Sequence, residues 1–396
     1  MITLQMDMYQ SGALAIVIFL LGTFLVKKFP VFNKFCIPAP VVGGLVFAIA
    51  HLLLRISGVI TFTFDTTIQS ICMTLFFTSV GYTACFKLLK KGGVQVILYL
   101  ILAIVMCILQ DALGCGLASV FNLDPRLGLC VGSIPMVGGH GTSGSFGPWL
   151  EELGVSGATS VAIAAATFGL VAGSMLGGPI ATRKIKKYNL KSLGSAFGEA
   201  SATKEDSVHA LNTEKMMSGA VYLLVAIGLG TVVAKVLSKT GLTFPSYIGA
   251  MITAAIIRNV ADGFKKDLPG PEIDAIGNVG LTVFLSMALM NLKLWELAEL
   301  ALPMAVILIA QTVLMAIFAG FVVFKVMGSD YESACMTTAF CGFGMGATPN
   351  AMANMQAVAK EYGPAPRAFF VVPLVGSLFV DFFNSIIITT FAGLWK

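Results

Sequence analysis

The chain has 396 residues, of which 57% are hydrophobic and only 11% charged, and its mean hydropathy is +0.89. Water-soluble domains carry about 25% charged residues, so the composition excludes one and describes a chain that crosses a membrane many times. The net charge of +5 is modest and carries no signature of nucleic-acid binding; in a membrane chain, basic residues report orientation. Eight cysteines, at 36, 72, 85, 107, 115, 130, 335 and 341, lie mostly in apolar segments without CxxC spacing, which points to small packing residues and not to disulfides or zinc ligands.

Apolar runs near residues 11–26, 38–56, 67–86, 93–120, 157–181, 217–237, 244–260, 275–292, 300–326 and 367–392 predict ten spanning helices, most close to the roughly 20 residues that a bilayer requires. The first run follows Asp7 and lacks a basic flank or a small-residue cleavage site, so it reads as a span and not as a removable signal. After the fourth and ninth runs lie two glycine-dense stretches, GGHGT at 138–142 and CGFGMGATPNAMANMQ at 341–356. With their flanks, 126–150 and 332–360, they are too broken for ordinary spans. Irregular backbone at membrane depth survives only inside protein or beside a water-filled cavity, so both are expected to be re-entrant hairpins bordering a polar site. Gly342, Gly344 and Gly346 are expected to take dihedrals closed to other residues, with Thr348, Pro349 and Asn350 as the cap and first turn of a short helix through Asn354 and Gln356.

The stretch 183–215 is the one long polar segment and reads as a cytoplasmic linker. Placing the N-terminus outside puts most of the 25 Lys and Arg residues on the cytoplasmic side, among them Lys27, Lys28, Lys87, Lys90, Lys91, Arg183, Lys184, Lys186 and Lys187, as the positive-inside rule requires. Both termini then lie outside. The two halves repeat at an offset of roughly 205 residues: Phe76-Phe77 recurs as Phe284-Leu285, Gln110 as Gln311, Asp124 as Asp330, Gly173-Ser174 as Gly376-Ser377 and Ile37-Pro38 as Phe244-Pro245. Five spans per half is an odd number, so the second copy is expected upside down. The fold expected is an all-α polytopic membrane protein with a first five-helix repeat at 1–182, the linker at 183–215, and a second, inverted repeat at 216–396. This is the architecture of secondary transporters.

In the last span, Ser377, Asp381 and Asn384 share one helix face. A carboxylate there is expensive unless paired, hydrated or bound to a cation, and its oxygen chemistry suits a hard ion such as sodium. Structural hydrogen bonding is the competing reading. Ser160, Thr167 and Ser174 form a hydroxyl stripe in the fifth span beside Gly169, Gly173 and Gly177, a ladder expected to pack helices. Asp111, in the outer half of the fourth span, is expected to reach the headgroups. His140 reads as a donor to an anionic substrate or a proton-sensitive gate, or else as a brace for its loop. Arg258 and Arg367 are expected to snorkel to lipid phosphates or to pair with a carboxylate. GxSG, the nucleophile motif of intramembrane serine proteases, occurs at 141–144 and 154–157, but His51, His140 and His209 are the only histidines available as a base, so protease chemistry is a distant third reading. No HExxH or GxxxxGK[ST] motif is present, which removes zinc proteolysis and ATP-driven pumping in this chain.

The glycine stretches GGHGT at 138–142 and CGFGMGATPNAMANMQA at 341–357, together with IPAPVVGG at 37–44, ALMNLKLWELAELALPM at 288–304 and FFVVPLVGSLFVDFFN at 369–384, make the chain closely similar to the bacterial sodium/glutamate symporters over nearly its whole length. The resemblance implies sodium-driven import of glutamate through the bacterial inner membrane, co-transported sodium with no organic cofactor, two inverted repeats whose hairpins enter from opposite sides, an elevator mechanism and a homodimer. Gly138, Gly139, His140, Gly141 and Thr142 of the first loop, with Gly344, Gly346, Thr348, Pro349, Asn350 and Asn354 of the second, would then bind glutamate, and Asp381, Asn384 and Ser377 would bind sodium. A sodium-coupled carrier for another small carboxylate or amino acid is the alternative. One departure is the run SGSFGP at 143–148, richer in helix breakers than the resemblance implies after this loop, so the extent of helix that follows it is left open.

Overall fold

The computed structural model describes residues 2–34, 37–85, 93–192, 212–239, 246–292 and 294–395; Cys36, the Phe244-Pro245 pair, Lys87, Lys90, Lys91, His209 and most of the expected linker lie outside the described residues. In chain order the principal helices are α1 (Met8–Lys28), α2 (Ala39–Ile56), α3 (Thr67–Thr83), α4 (Gly93–Val120), α5 (Gly139–Glu152), α6 (Ala158–Tyr188), α7 (Thr213–Ser238), α8 (Ser246–Gly263), α9 (Gly270–Met290), α10 (Leu294–Ile317), α11 (Tyr331–Gly344), α12 (Thr348–Tyr362), α13 (Pro366–Leu378) and α14 (Val380–Leu394). Seven of the described helices are long and apolar enough to cross a bilayer, or eight if the bent pair Pro366–Gly376 and Val380–Leu394 is one span. The third and seventh expected runs form helices of 17 and 18 residues, and α8 ends in the polar sequence Arg258 to Gly263. Polar residues serve there because these helices face protein as well as lipid: Gly81 of α3 lies against the Met251 carbonyl of α8, 2.2 Å from where a Cβ would stand.

The fold is not purely helical. Ile2–Met6 (β1) and Ile60–Phe64 (β2) pair as a two-stranded parallel ribbon. Both segments alternate apolar with polar residues, ITLQM and ITFTF, a period-2 pattern that favours strands and that the search for apolar runs passes over. His51 of α2 anchors the ribbon, with Nε2 accepting from Phe62 N at 3.1 Å.

Glycine contacts set how the halves are built. Where α1 crosses α2, a Cβ on Gly43 would stand 2.0 Å from the Ile18 carbonyl; where α7 crosses α8, a Cβ on Gly249 would stand 2.2 Å from the Gly230 carbonyl. Each pair of backbones meets at a point that only glycine permits. α3 and α9 lie side by side and antiparallel, Gly277 against Ser79 and Gly280 against the Cys72 carbonyl. These six helices form one bundle. A second contains α4, α6, α10, α13, α14 and two helical hairpins, and the hairpin arm α5 packs on α9 where the bundles meet.

The glycine-dense stretches are the hairpins, and they are more regular than the sequence implies. The second consists of α11 and α12 with a break at 345–347. None of Gly342, Gly344 or Gly346 has a positive φ; they are glycine because neighbours come close, Gly342 to Ala351 Cα (2.6 Å from a built Cβ), Gly344 to Met315 Cε (2.5 Å) and Gly346 to Leu170 Cδ2 (2.9 Å). The cap of α12 is Ala347, not Thr348, and the helix runs on to Tyr362. The first hairpin rises through a 3-10 turn, Pro125–Val131, and one helical turn, Ser133–Met136, then descends as α5. α5 is continuous through SGSFGP, with Pro148 inside it. Its breakers are again contact residues: a Cβ on Gly147 would meet Thr159 Cα at 2.6 Å, and one on Gly144 would meet Phe284 at 3.2 Å.

Matching devices close the two hairpins at their bases. Asp124 caps the first through Arg126 N (2.9 Å) and pairs with the Arg126 guanidinium at 2.6 Å, while Arg126 Nη1 donates to the Leu153 carbonyl. Burial works against the Asp124 charge, but the hydrogen bonds and positive charge of Arg126 outweigh it and hold the carboxyl below its usual range. Asp330 caps the second through Ser333 N (2.7 Å), and Tyr331 OH donates to the Gly363 carbonyl. Arg367 grips Asp330 with one nitrogen bonded to both carboxylate oxygens, at 2.7 and 2.6 Å, and Arg258 bonds Asp262 at 2.9 Å. Both arginines therefore pair with carboxylates, the second of their two expected roles.

Candidate functional site

The tips of the hairpins meet. Gly139 has φ +59°, the left-handed conformation that glycine adopts freely, and a Cβ there would stand 2.9 Å from the Gly346 carbonyl. Around this junction is a cavity of about 630 Å³ between the two bundles. Gly138, Gly139, His140 and Gly141 line it from the first tip, Gly346, Ala347 and Thr348 from the second, and Asp381 and Gly376 from the broken last helix. The opposite wall comes from α3 and α9, with Phe76, Ser79, Asp274, Asn278 and Thr282.

The remaining expected residues hold the tips in place. Asn350 is 1% exposed; its Oδ1 accepts from Ser174 Oγ at 2.5 Å and its Nδ2 donates to the Leu170 carbonyl at 3.0 Å. Asn354 Nδ2 donates to the carbonyls of Gly173 (3.0 Å) and Thr338 (3.2 Å). Thr142 lies over Gly138 one turn back in its own helix, its Oγ1 2.1 Å from where a Gly138 Cβ would be, and it does not line the cavity. Gly344 also lies behind the tip, its carbonyl accepting from Gln110 Nε2 at 2.8 Å. The side chains of Pro349 and Ser377 lie outside the described residues.

α6 braces both hairpins. His140 Nε2 lies 3.0 Å from Thr167 Oγ1, whose own proton goes to the Ile163 carbonyl at 3.1 Å; the histidine is therefore the donor, with Nε2 protonated. About two turns further along α6, Ser174 holds Asn350 of the second hairpin. The glycine ladder lies against α11, with built Cβ positions 2.3 Å from the Met345 carbonyl at Gly169, 2.8 Å from the Cys341 carbonyl at Gly173 and 2.6 Å from Thr338 Oγ1 at Gly177. Thr167 and Ser174 of the hydroxyl stripe and the glycine ladder thus serve one purpose, holding the hairpins against a long helix.

Asp381 stands in the first turn of α14, just after the break at Phe379. It is half-buried, and among the described residues no donor bonds its carboxylate. Asn384 is 1% exposed and is not among the residues lining the cavity; its Nδ2 donates to the Ser133 carbonyl at 3.1 Å, and its buried Oδ1 has no partner among the described residues. Asp111 is fully buried, not at the headgroups. It accepts from Ser133 N at 2.7 Å and Ser133 Oγ at 3.0 Å, fixing the helical turn below the first tip. Hydropathy places a residue along a helix axis but not around it, which is why Asp111 could be mistaken for a surface residue.

Asp274, Asn278 and Thr282 escaped the sequence reading. Their spacing of four puts them on one face of α9, a polar stripe in an otherwise apolar span, and that signal was available. The serine of the first GxSG motif is not poised for catalysis by the described histidines. Ser143 is buried and donates to the Ala162 carbonyl at 3.2 Å, while His140 is engaged by Thr167 and His51 by the ribbon.

A family model described as sodium/glutamate symporter matches residues 4–364. The sodium/glutamate symporters of Escherichia coli and Shigella flexneri are each 38% identical to this chain over 390 residues, 97% of either sequence. That of Haemophilus influenzae is 37% identical over 384 residues, 95% of either sequence. With this similarity over almost the full length of both partners, the chain belongs to the sodium/glutamate symporter family, a family of transporters and not of enzymes.

Proposed function

We propose that the chain imports glutamate together with sodium across the bacterial inner membrane, using the cavity at the hairpin tips as the binding site. One observation carries this reading. The cavity is bordered by two broken helical hairpins and contains the carboxylates of Asp274 and Asp381, with no Lys or Arg among its described lining residues. Anionic glutamate bound there meets negative side chains and no fixed cation, so its binding requires mobile cations to accompany it. Coupling follows from that requirement. The backbone amides that open α5 and α12, around Gly139 to Gly141 and at Thr348, lack intrahelical acceptors and carry the positive end of the helix dipole, which suits the carboxylates of the substrate. Asp381 and carbonyls freed by the break at Phe379 form the sodium site; Asn350, Asn354 and Thr142 support the tips and do not themselves touch substrate.

The two halves act as inverted repeats, with the hairpins entering from opposite faces. The bundle of α1, α2, α3, α7, α8 and α9 is the scaffold on which a homodimer forms, and the hairpin bundle slides past it as an elevator. With the N-terminus outside, the ends of α3 and α9 nearest Thr83 and Asp274 are cytoplasmic, and because both residues line the cavity, the conformation described is open inward. Purified protein in proteoliposomes tests the substrate assignment: labelled glutamate should enter only with a sodium gradient, and unlabelled glutamate should compete far better than aspartate, citrate or malate. Stronger competition by one of those acids transfers the assignment to it.

A further inference from the structure

We infer that a second binding site, separate from the hairpin cavity, holds the headgroup and upper acyl chain of an anionic phospholipid. It is a groove of about 620 Å³ between the end of α6 and the end of the helix that continues α10. Arg183, Lys184 and Lys187 of α6 and Lys325 opposite stand at its mouth, while Ile180, Ile317 and Gly320 form its floor. Among the described residues none of the four cations is in an ion pair. Unneutralised positive charge in such a cluster demands an anion.

The walls favour a lipid over a soluble anion. Lys184 Nζ lies 4.8 Å from the ring centre of Phe324 and 4.9 Å from that of Phe321, and Tyr188 stacks on Phe324 at 5.8 Å. These contacts hold the Lys184 ammonium over the rings at the groove mouth. Phe321 is 65% exposed and Ile317 54% on a helix apolar enough to span the bilayer, so the floor faces hydrocarbon. Charge at the helix ends with apolar walls toward the membrane interior matches the polarity of a phospholipid. The helix opposite α6 is locally widened into a π-helix, Phe318–Val323, an irregularity that often marks a functional position. Gly320 lies within it, and a Cβ there would meet only Ile180, at 3.8 Å. The groove joins two helices of the bundle that carries the hairpins, so a lipid seated in it would travel with that bundle.

The test titrates full-length protein in detergent with phosphatidylglycerol and with phosphatidylcholine of the same acyl chains, reading bound lipid by native mass spectrometry. Phosphatidylglycerol should bind about tenfold more tightly or better, and Lys184→Gln should weaken it about fivefold, as expected for one basic residue at an anionic headgroup. Combining Arg183→Gln, Lys184→Gln, Lys187→Gln and Lys325→Gln should abolish the preference, whereas Lys27→Gln with Lys28→Gln should leave it intact. Gly320→Leu keeps every charge but fills the floor, and should also reduce lipid retention. If the fourfold variant does not fold, the single Lys184→Gln and Gly320→Leu variants decide. Equal binding of both lipids by the parent chain overturns the proposal, as does full retention by Gly320→Leu, which would mean diffuse surface attraction. Displacement of phosphatidylglycerol by inorganic phosphate would assign the site to free phosphate and also overturn it.

Discussion

Adding one methyl group at Gly169 tests whether α6 holds the second hairpin as described. A Cβ there would stand 2.3 Å from the Met345 carbonyl oxygen, so Gly169→Ala must move α6 and the hairpin tip apart by about 1 Å to restore an ordinary contact. Both sides of the contact are backbone and no side chain can rotate away. Over-packing of this kind costs about 1 to 3 kcal/mol. Gly178 is on the same helix with nothing within 4 Å of its built Cβ, so Gly178→Ala provides the control: both variants gain the same helix propensity, about 1 kcal/mol, and their difference isolates the packing cost. Thermal unfolding can be followed with a thiol-reactive dye, since six of the seven described cysteines are buried. Gly169→Ala should melt several degrees below Gly178→Ala and transport more slowly. If Gly169→Ala proves as stable as the control, α6 and the hairpin tip do not touch in the way described.

Asp381→Asn keeps the size of the side chain and removes its charge, so half-saturation for sodium should rise about tenfold or more, equivalent to roughly 1.4 kcal/mol, while glutamate affinity at saturating sodium changes much less. A parallel fall in both affinities at every sodium concentration would make Asp381 a support for the site and not a ligand. A Cβ built at Gly144 of α5 lies 3.4 Å from Ala288 Cβ of α9, close to the spacing a disulfide needs. Oxidising the Gly144→Cys, Ala288→Cys double variant should therefore stop transport while leaving glutamate binding, and uptake that survives complete crosslinking would refute sliding of the bundles. Single cysteines placed near Asp7, Asp65 and Glu296 in a variant without the native eight should label from outside, and those near Lys91, Lys187 and Lys266 only after permeabilisation. Labelling near Lys187 from outside reverses the orientation.

Features that depend on spacing along one helix were legible in the sequence. The glycine ladder at 169, 173 and 177 was expected to pack helices, and it does so against α11. Asp381 could be singled out because a lone carboxylate among Phe, Val and Ile contradicts its surroundings. What stayed hidden depends on which face of a helix meets which neighbour. Asp111 was assigned to the membrane surface by its depth, although its face is turned to Ser133 inside the protein. Asn278 passed as an ordinary part of the span at 275–292, and Asp274 fell just outside it, because the wall they complete belongs to another bundle. The glycines of both hairpins signalled close approach of neighbours more than unusual dihedrals, and composition alone does not separate the two; only Gly139, at the junction of the tips, has a positive φ.

The most direct test of sodium-coupled import is the response of uptake to membrane potential. Glutamate carries a net charge of −1, and an inside-negative potential opposes its entry by about 2.3 kcal/mol per 100 mV, so at least two sodium ions must accompany each glutamate for the potential to assist. In proteoliposomes with a fixed sodium gradient, imposing an inside-negative potential with potassium and valinomycin should accelerate glutamate uptake. Uptake that slows under that potential, or continues unchanged without sodium, would contradict the account.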